Sequence, residues 1–133
     1  KRFIKFIIME YNGDFKYDLL VGQKGEKIVD DIFKNKKIEV KRDSWVGKTG
    51  NIAIEYMSRG KLSGIATTQA DYWAFVLSGS FADKVILMFE TERLKDIARE
   101  YGRKGFRKDM GDNNSSKSVL IPIKELCNFA YND

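Results

Sequence analysis

Residues 37–57 read KIEVKRDSWVGKTGNIAIEYM. Apolar and charged side chains alternate over Lys37–Arg42, and the two-residue period is typical of a β-strand. The same period returns over Asn51–Tyr56. Because only a short segment around Gly47 separates the two patterns, we expect them to form an antiparallel hairpin.

This hairpin would place charged groups on one face. Glu39 and Lys41 share a face of the first strand, and Glu55 shares a face of the second strand with Ala53. Side chains facing each other across an antiparallel ladder are about 5 Å apart. The pattern therefore predicts two carboxylates and a lysine on one small patch, with Glu39 opposite or diagonal to Glu55.

A helix is predicted before this stretch, over Leu19–Phe33, with Asp18 as its cap. Its buried stripe would comprise Ile28, Val29, Ile32 and Phe33. Glu26 shares that inward face, where a carboxylate is costly unless it is paired or binds a metal. The sequence leaves two interpretations open: a boundary residue that meets a lysine, or a metal ligand.

The remaining pattern predicts an α/β (α+β) fold, a central mixed β-sheet flanked by helices. The expected elements are a short helix within Ser63–Asp71 capped by Thr67 or Thr68, a buried central strand Tyr72–Leu77, a strand Lys84–Phe89, a helix Glu92–Tyr101 capped by Thr91, a basic loop 103–118 and an edge strand Val119–Ile123. The helical period of Leu94, Ile97, Ala98 and Tyr101 predicts that they form the core stripe of the helix Glu92–Tyr101. With one proline in 133 residues, we expect a single domain over residues 1–133. Residues 1–12 are expected to form an N-terminal arm, in which Phe3–Met9 is a short strand or a loosely docked segment.

Composition excludes several kinds of chemistry. The chain has no histidine and a single cysteine, Cys127, so histidine-based triads, histidine-ligated zinc and CxxC redox sites are ruled out. One thiol is typical of a reducing, cytoplasmic setting. The formal net charge of +5 favours a polyanionic partner. We expect no membrane contact and no organic cofactor.

Carboxylates beside a lysine suit a metal-dependent phosphodiesterase. Two or three carboxylates can hold Mg²⁺, with Mn²⁺ as a substitute, and the metal activates a water molecule. A lysine two residues from a carboxylate, as in Glu39-Val40-Lys41, can orient that water or stabilise developing charge. Alternating Glu and Lys are also common on solvated strands, so this motif gains weight only from its neighbours Glu26 and Glu55.

A family resemblance covers roughly residues 18–124. It is carried by Gly25-Glu26, by IEVKRD at 38–43, by TGNIAIE at 49–55, by SGI at 63–65, by TQADYW at 68–73 and by GDNNSSK at 111–117. In this order the motifs resemble the PD-(D/E)xK nuclease superfamily, in particular small phage-type and Holliday-junction-resolvase-like members. The resemblance implies a restriction-endonuclease-like αβββαβ core, a Mg²⁺-dependent endonuclease acting on branched, recombination or repair DNA, and a homodimer.

Two alignments to the superfamily pattern are open. In the first, Glu39 fills the Asp slot and Glu55 the Glu slot, and Lys41 replaces the missing lysine, whose usual place holds Met57. In the second, Asp31 fills the Asp slot and Glu39-Val40-Lys41 is the E-x-K itself. We favour the first, because Asp31 lies in what the pattern predicts to be continuous helix.

The resemblance then assigns roles. Glu39 and Glu55 would be metal ligands, Glu26 a ligand directly or through water, and Lys41 the group that positions the attacking water. Candidate phosphate contacts are Lys48, Arg59, Lys61, Arg103, Lys104, Arg107, Lys108 and Lys117. Candidate supporting residues are Asp31, Asp43, Gln69 and Asp71, of which Asp43 is expected mainly to end its strand. Trp45 could stack on an unpaired base or anchor its loop.

Two functions without catalysis remain open. A nucleic-acid-binding module on the same fold, with a degraded metal site, is favoured by Met57 and the displaced lysine. A protein-interaction subunit would use Glu26, Glu39 and Lys41 as a partly buried ion-pair network. Salt-sensitive DNA binding separates these two, and a requirement for metal separates the nuclease from both.

Overall fold

A computed structural model describes residues 15–130, with side chains described to residue 126. The chain divides into two compact units, one ending at Lys36 and one beginning at Lys37. The expected arm 1–12 and the segment Phe3–Met9 lie outside the described residues. Within the described part of the chain, no helix has the length and apolar character needed to cross a membrane.

The first unit contributes helix α1, Phe15–Asn35. The predicted helix is confirmed, but it starts four residues before Leu19, so Asp18 lies inside it rather than at a cap. The predicted buried stripe is largely wrong. Ile32 is buried, whereas Ile28, Val29 and Phe33 are about half exposed or more. Periodicity identifies an amphipathic helix, but it does not show that another element covers the apolar side.

The described part of the second unit, residues 37–130, contains seven strands and two α-helices. In chain order they are β1 Ile38–Asp43, α2 Val46–Thr49, β2 Asn51–Ser58, β3 Lys61–Leu62, β4 Tyr72–Leu77, β5 Val85–Glu90, α3 Thr91–Arg103, β6 Arg107–Met110 and β7 Ser116–Pro122. Short 3₁₀-helical turns lie at Gly64–Ala66, Gly79–Phe81, Asp112–Asn114 and Ile123–Ala130. The unit is therefore α+β, as the sequence predicts.

The strands form two sheets rather than one central sheet. A three-stranded mixed sheet has the order β1-β4-β5, with β1 parallel and β5 antiparallel to β4. A four-stranded antiparallel sheet has the order β3-β2-β7-β6. The apolar pattern marked the strands correctly, but alternation alone does not determine which strand pairs with which.

The buried core lies in this second unit. Its largest fully buried side chains include Trp73 and Phe75 of β4 and Ile52 and Ile54 of β2. From α3 the core receives Leu94, Ile97, Ala98 and Tyr101. This is the stripe predicted from the helical period, and it packs with Val119 and Ile121 of β7. One face of the four-stranded sheet is thereby covered, leaving its other face to line the site described below.

The predicted hairpin between residues 37 and 56 is wrong. β1 pairs with β4 in one sheet, and β2 pairs with β7 and β3 in the other. Gly47 lies inside α2 rather than in a hairpin turn. The physical reason is local: the Asp43 carboxylate accepts the N–H groups of Trp45 and Val46, which folds the connection into a helical turn.

Three smaller expectations also fail. The segment Ser63–Asp71 forms a 3₁₀ turn rather than a short helix, and Thr68 Oγ1 accepts the Ala70 N–H. Thr91 does not cap α3, because its hydroxyl donates instead to the Ala70 carbonyl at 2.8 Å. The predicted basic loop 103–118 contains β6 and the start of β7.

The last strand is not an edge strand. β7 lies between β2 and β6, and Pro122 is at its final position, opposite Asn51 and beyond the end of β6. A proline is tolerated there because the missing N–H falls where no β6 residue is paired. The other sheet has β1 and β5 at its edges. In β5, Val85, Ile86 and Glu90 are exposed although the strand sequence is mostly apolar.

Candidate functional site

A groove runs across the second unit, lined by side chains from both sheets. Its larger section is a cavity of about 630 Å³. A neighbouring section of about 460 Å³ shares Lys41, Glu55 and Trp73 with it. We call the two sections together the groove. Its charged lining residues comprise Lys41, Arg42, Asp43, Glu55, Lys108 and Asp109 in the larger section and Lys37, Glu39, Lys41 and Glu55 in the smaller one.

β1 supplies three of these groups from one face. Glu39, Lys41 and Asp43 alternate along the strand, so their side chains lie on the same side of the sheet. The parallel register sets Glu39 beside Trp73 and Lys41 beside Phe75. Lys41 Nζ lies 2.8 Å from Glu39 Oε1 and 5.5 Å from the centroid of the Trp73 ring. The Lys41 amine is thus held over the Trp73 ring, and Lys41 lines the groove.

Asp43 is the residue that joins the two sheets. Its Oδ1 accepts the N–H groups of Trp45 and Val46, both at 3.0 Å. Its Oδ2 accepts the N–H of Ala53 in β2 at 3.3 Å. Asp43 does end its strand, as expected, and it also places a carboxylate in the groove. A carboxylate has about four acceptor positions, so these three bonds leave capacity for a ligand.

Glu55 lies two residues after Ala53 on the same face of β2, a step of about 7 Å along a strand. Its Oε2 accepts the Ser63 hydroxyl at 3.0 Å. The turn that contains Gly64 packs against the backbone of Glu55. Gly64 has φ +54°, and a Cβ at this position would overlap the Glu55 carbonyl oxygen. The Asp43 carboxylate, bonded to Ala53, is therefore one strand step from Glu55.

The register across the four-stranded sheet adds a second lysine. Glu55 pairs with Ser118, and Ser118 pairs with Lys108, so all three share one face. Strands lie about 4.8 Å apart, which puts the Cα atoms of Glu55 and Lys108 roughly 10 Å apart. Lys108 lines the groove. The groove therefore offers amines from both of its sides.

A β-bulge interrupts β2 directly after Glu55. The ladder pairs Glu55 with Ser118 but Met57 with Lys117, the adjacent residue of β7. Because Lys117 and Ser118 face opposite sides of the sheet, Met57 points away from the side that carries Glu55. The position where the superfamily pattern places its lysine is therefore outside the groove.

Of the predicted core site, the structure brings Glu39, Lys41 and Glu55 together, although not through the hairpin. Glu26 and Asp31 lie on α1 in the other unit, so their membership of the site stays a prediction. Asp31 is helical and 3.3 Å from Lys27. Gln69 lines the groove from an irregular segment rather than from a helix. Asp71 has a local role, because its carboxylate accepts the Lys37 N–H at 2.8 Å.

The predicted phosphate contacts separate into groups. Lys108 lines the groove, and Lys48 Nζ lies 5.5 Å from the ring of Trp45, which also lines it. Arg107 lines a different cavity and donates to the Gly102 carbonyl at 3.1 Å. Lys104 pairs with Glu100 at 3.3 Å. Arg59, Lys61, Arg103 and Lys117 are exposed.

Arg42 lines the groove but is engaged elsewhere. Its guanidinium makes two hydrogen bonds to Asp83, at 3.0 and 2.9 Å. These hydrogen bonds, together with the attraction between the opposite charges, raise the pKa of Arg42 and lower the pKa of Asp83. Arg42 is thus held by Asp83 in the turn before β5. Lys41 and Lys108 are therefore better placed to contact an anion in the groove.

Sequence reasoning missed Asp109 and Asn114, which line the groove from β6 and the turn after it. Both lie in the segment predicted to be a basic loop. Asn114 was noted only as part of the motif GDNNSSK, and the stretch Arg107-Lys108-Asp109-Met110 shows no alternation of apolar and polar residues. It contains too little apolar character to be recognised as a strand, because all of β6 except Met110 is exposed.

Oxygen donors of the kind Mg²⁺ prefers are present in the groove, on Asp43, Glu55 and Glu39. Among the described residues, no group of three or more acidic or cysteine side chains is arranged as a metal site. Mg²⁺ commonly uses only one or two protein carboxylates, completing its coordination with water and substrate phosphate. The pair Asp43 and Glu55 fits that smaller requirement.

Comparison with known protein families, curated proteins and solved structures found no match to this chain.

Proposed function

We propose that this chain is a Mg²⁺-dependent endonuclease of the PD-(D/E)xK type, with a restriction-endonuclease-like core, that hydrolyses phosphodiester bonds in DNA. The observation that supports the proposal is the convergence of Asp43, Glu55, Lys41 and Lys108 on one groove. The chain's positive charge agrees with a polyanionic substrate. The superfamily resemblance in the order of its motifs points the same way.

Asp43 and Glu55 are proposed as the residues that hold the metal. They come from the end of β1 and the middle of β2, and one strand step separates Glu55 from the residue to which Asp43 is bonded. A bound Mg²⁺ supplies Lewis-acid activation of the phosphate and of a water molecule. In this assignment Asp43 takes the Asp slot that the first alignment gave to Glu39.

Lys41 is proposed to orient the attacking water or to stabilise charge that develops on the phosphate. Glu39 is then a positioning residue, because its carboxylate lies 2.8 Å from the Lys41 amine. Lys108, on the opposite side of the groove, is placed to neutralise a phosphate of the bound strand. Each role uses a group that already faces the groove.

The test is cleavage of single-stranded, duplex, flap and four-way-junction DNA with Mg²⁺, Mn²⁺ or EDTA. Glu55→Gln and Lys41→Ala should each lower the cleavage rate by roughly 100-fold or more. Both should leave DNA binding and folding largely intact. Asp96→Asn and Lys84→Ala are the matched controls, because both residues are exposed and neither lines the groove.

The outcomes distinguish the open functions. Cleavage that needs metal and is lost in both groove variants, but not in the controls, supports the nuclease. Cleavage by Lys41→Ala at the rate of the unmodified chain contradicts the assignment. No cleavage with salt-sensitive DNA binding favours the binding module, for which the specific observation is Met57, turned away from Glu55 at the position expected for the lysine.

A further inference from the structure

Trp45 is an exposed aromatic side chain at the groove. Its side chain belongs to the lining of the larger section together with Asp43 and Asn51. Trp45 is 60% exposed, whereas Trp73, the other tryptophan of the chain, is 1% exposed. The two indoles therefore differ in role: Trp73 belongs to the core, and Trp45 offers apolar ring surface to whatever enters the groove.

The backbone of Trp45 is held firmly. Its N–H donates to Asp43 Oδ1 at 3.0 Å, and its carbonyl accepts the N–H groups of Lys48 and Thr49, both at 3.0 Å. The Thr49 hydroxyl donates to the same carbonyl at 3.1 Å. With the backbone fixed, only the two side-chain torsions of Trp45 remain to be ordered when a ligand stacks on the ring.

The surroundings of Trp45 match a nucleotide. Lys48 places an ammonium 5.5 Å from the ring centroid, where it can meet a phosphate beside a stacked base. Asn51 and Asn114 line the same section and can donate to and accept from base edges. Aromatic rings combined with cations along a groove are the usual platform for single-stranded nucleic acid.

We propose that Trp45 stacks on an unpaired base of the DNA strand in the groove, so that the substrate class is DNA with single-stranded segments rather than continuous duplex. Bases inside a duplex are already stacked on their neighbours, and exposing a base face there costs free energy. Because the Trp45 N–H is bonded to Asp43, the stacked base would lie next to the proposed metal-binding carboxylates. This inference rests on the proposed function, whose substrate it narrows.

The test is binding in EDTA, with an oligothymidylate and a blunt duplex of equal length as probes. Fluorescence anisotropy of labelled DNA gives Kd, and tryptophan emission reports on the ring itself. Trp73 also lines the groove, but it is 1% exposed and cannot stack on a base, so its emission is measured alone in Trp45→Phe as the reference. The variants are Trp45→Ala, Trp45→Phe and, as a control, Phe81→Ala, an exposed aromatic that lines a different cavity.

The oligothymidylate should quench the emission of the unmodified chain, and the quenching should be absent in Trp45→Phe. Trp45→Ala should bind the oligothymidylate at least about fivefold more weakly, with little change in duplex affinity. Trp45→Phe should retain most of the affinity, and Phe81→Ala all of it. A denaturation midpoint for each variant shows whether it folds.

Unquenched emission on binding, or equal losses on both probes in a folded Trp45→Ala, overturns the stacking inference while leaving the nuclease proposal intact. Quenching and selective loss in a chain that cleaves nothing supports the stacking inference and removes the nuclease proposal. If neither probe binds, the stacking inference is overturned, and the cleavage assay with Mg²⁺ or Mn²⁺ decides the nuclease proposal separately.

Discussion

Replacing Asp43 by Ala is expected to damage the fold as well as the proposed site. The substitution removes the acceptor of three backbone N–H groups, at 3.0, 3.0 and 3.3 Å. Two of these N–H groups lie at the start of α2, where loss of a capping side chain typically costs about 1 kcal/mol. The third links β1 to β2, and hydrogen bonds to a charged group contribute roughly 1.5–3 kcal/mol. Since such terms do not add fully, we expect a loss of about 2–4 kcal/mol in the free energy of unfolding.

Urea titration measures this loss as a lower midpoint with an unchanged slope. Glu39→Ala is the matched control, because it removes a carboxylate from the same face of the same strand. The Glu39–Lys41 pair is about half exposed, so its loss should cost less than about 1 kcal/mol. If Asp43→Ala proves as stable as Glu39→Ala, Asp43 does not join the sheets in the way described, and its placement beside Glu55 loses its basis.

Two further predictions concern other positions. Gly64→Ala should lower the free energy of unfolding by about 2 kcal/mol or more in urea titration, because the added Cβ overlaps with Glu55 and the residue keeps a strained positive φ. Gly50→Ala is the control: φ is +70° but the space around it is open, so only the strain of about 1 kcal/mol should be lost. Equal losses in the two variants would contradict the overlap at Gly64. Burial and, second, the hydrogen bond to Glu125 raise the pKa of Tyr101 to about 12 in the folded chain. In the unfolded chain the pKa is about 10, so above that pH the unfolded chain loses the proton first. The free energy of unfolding should therefore fall as the pH rises from about 10 towards 12. Denaturation at pH about 8 and about 11 should show this decline in the unmodified chain and a smaller one in Tyr101→Phe, and identical declines would refute it.

Local features of the fold were predictable because they leave local patterns. The strand period located β1 and β2 within two residues at each end, and the continuous apolar run Tyr72–Leu77 marked β4 as the buried centre of its sheet. The helical period identified the buried stripe of α3. In each case the side chains that create the pattern are the ones that decide the local structure.

Strand pairing was not predictable from these patterns. A short connection after β1 favours a hairpin, but the hydrogen bonds from Asp43 to Trp45 and Val46 turn the chain into α2 instead. β1 then pairs with β4, which begins about 30 residues further along the chain. Asp43 was correctly expected to end a strand; its bond to Ala53 depends on the sheet arrangement and leaves no signal in sequence.

The site was therefore predictable in its composition and only partly in its geometry. Glu39, Lys41 and Glu55 do share a groove, because alternation correctly assigns each to a face of its own strand. Lys108 was predicted only as a phosphate contact, and its place opposite Glu55 follows from a register across three strands. This register could not be predicted, because the polar sequence of β6 does not show the pattern of a strand.

The bulge in β2 has a consequence for how such a site can change over evolution. Since one additional residue turns Met57 to the far side of the sheet, the Glu55 carboxylate of β2 meets an amine from another strand, Lys41 of β1, which also carries Asp43. A lysine introduced by substitution at position 57 would lie on the side of α3, away from Glu55. An amine that is to meet the Glu55 carboxylate therefore has to come from a neighbouring strand, as Lys41 of β1 does.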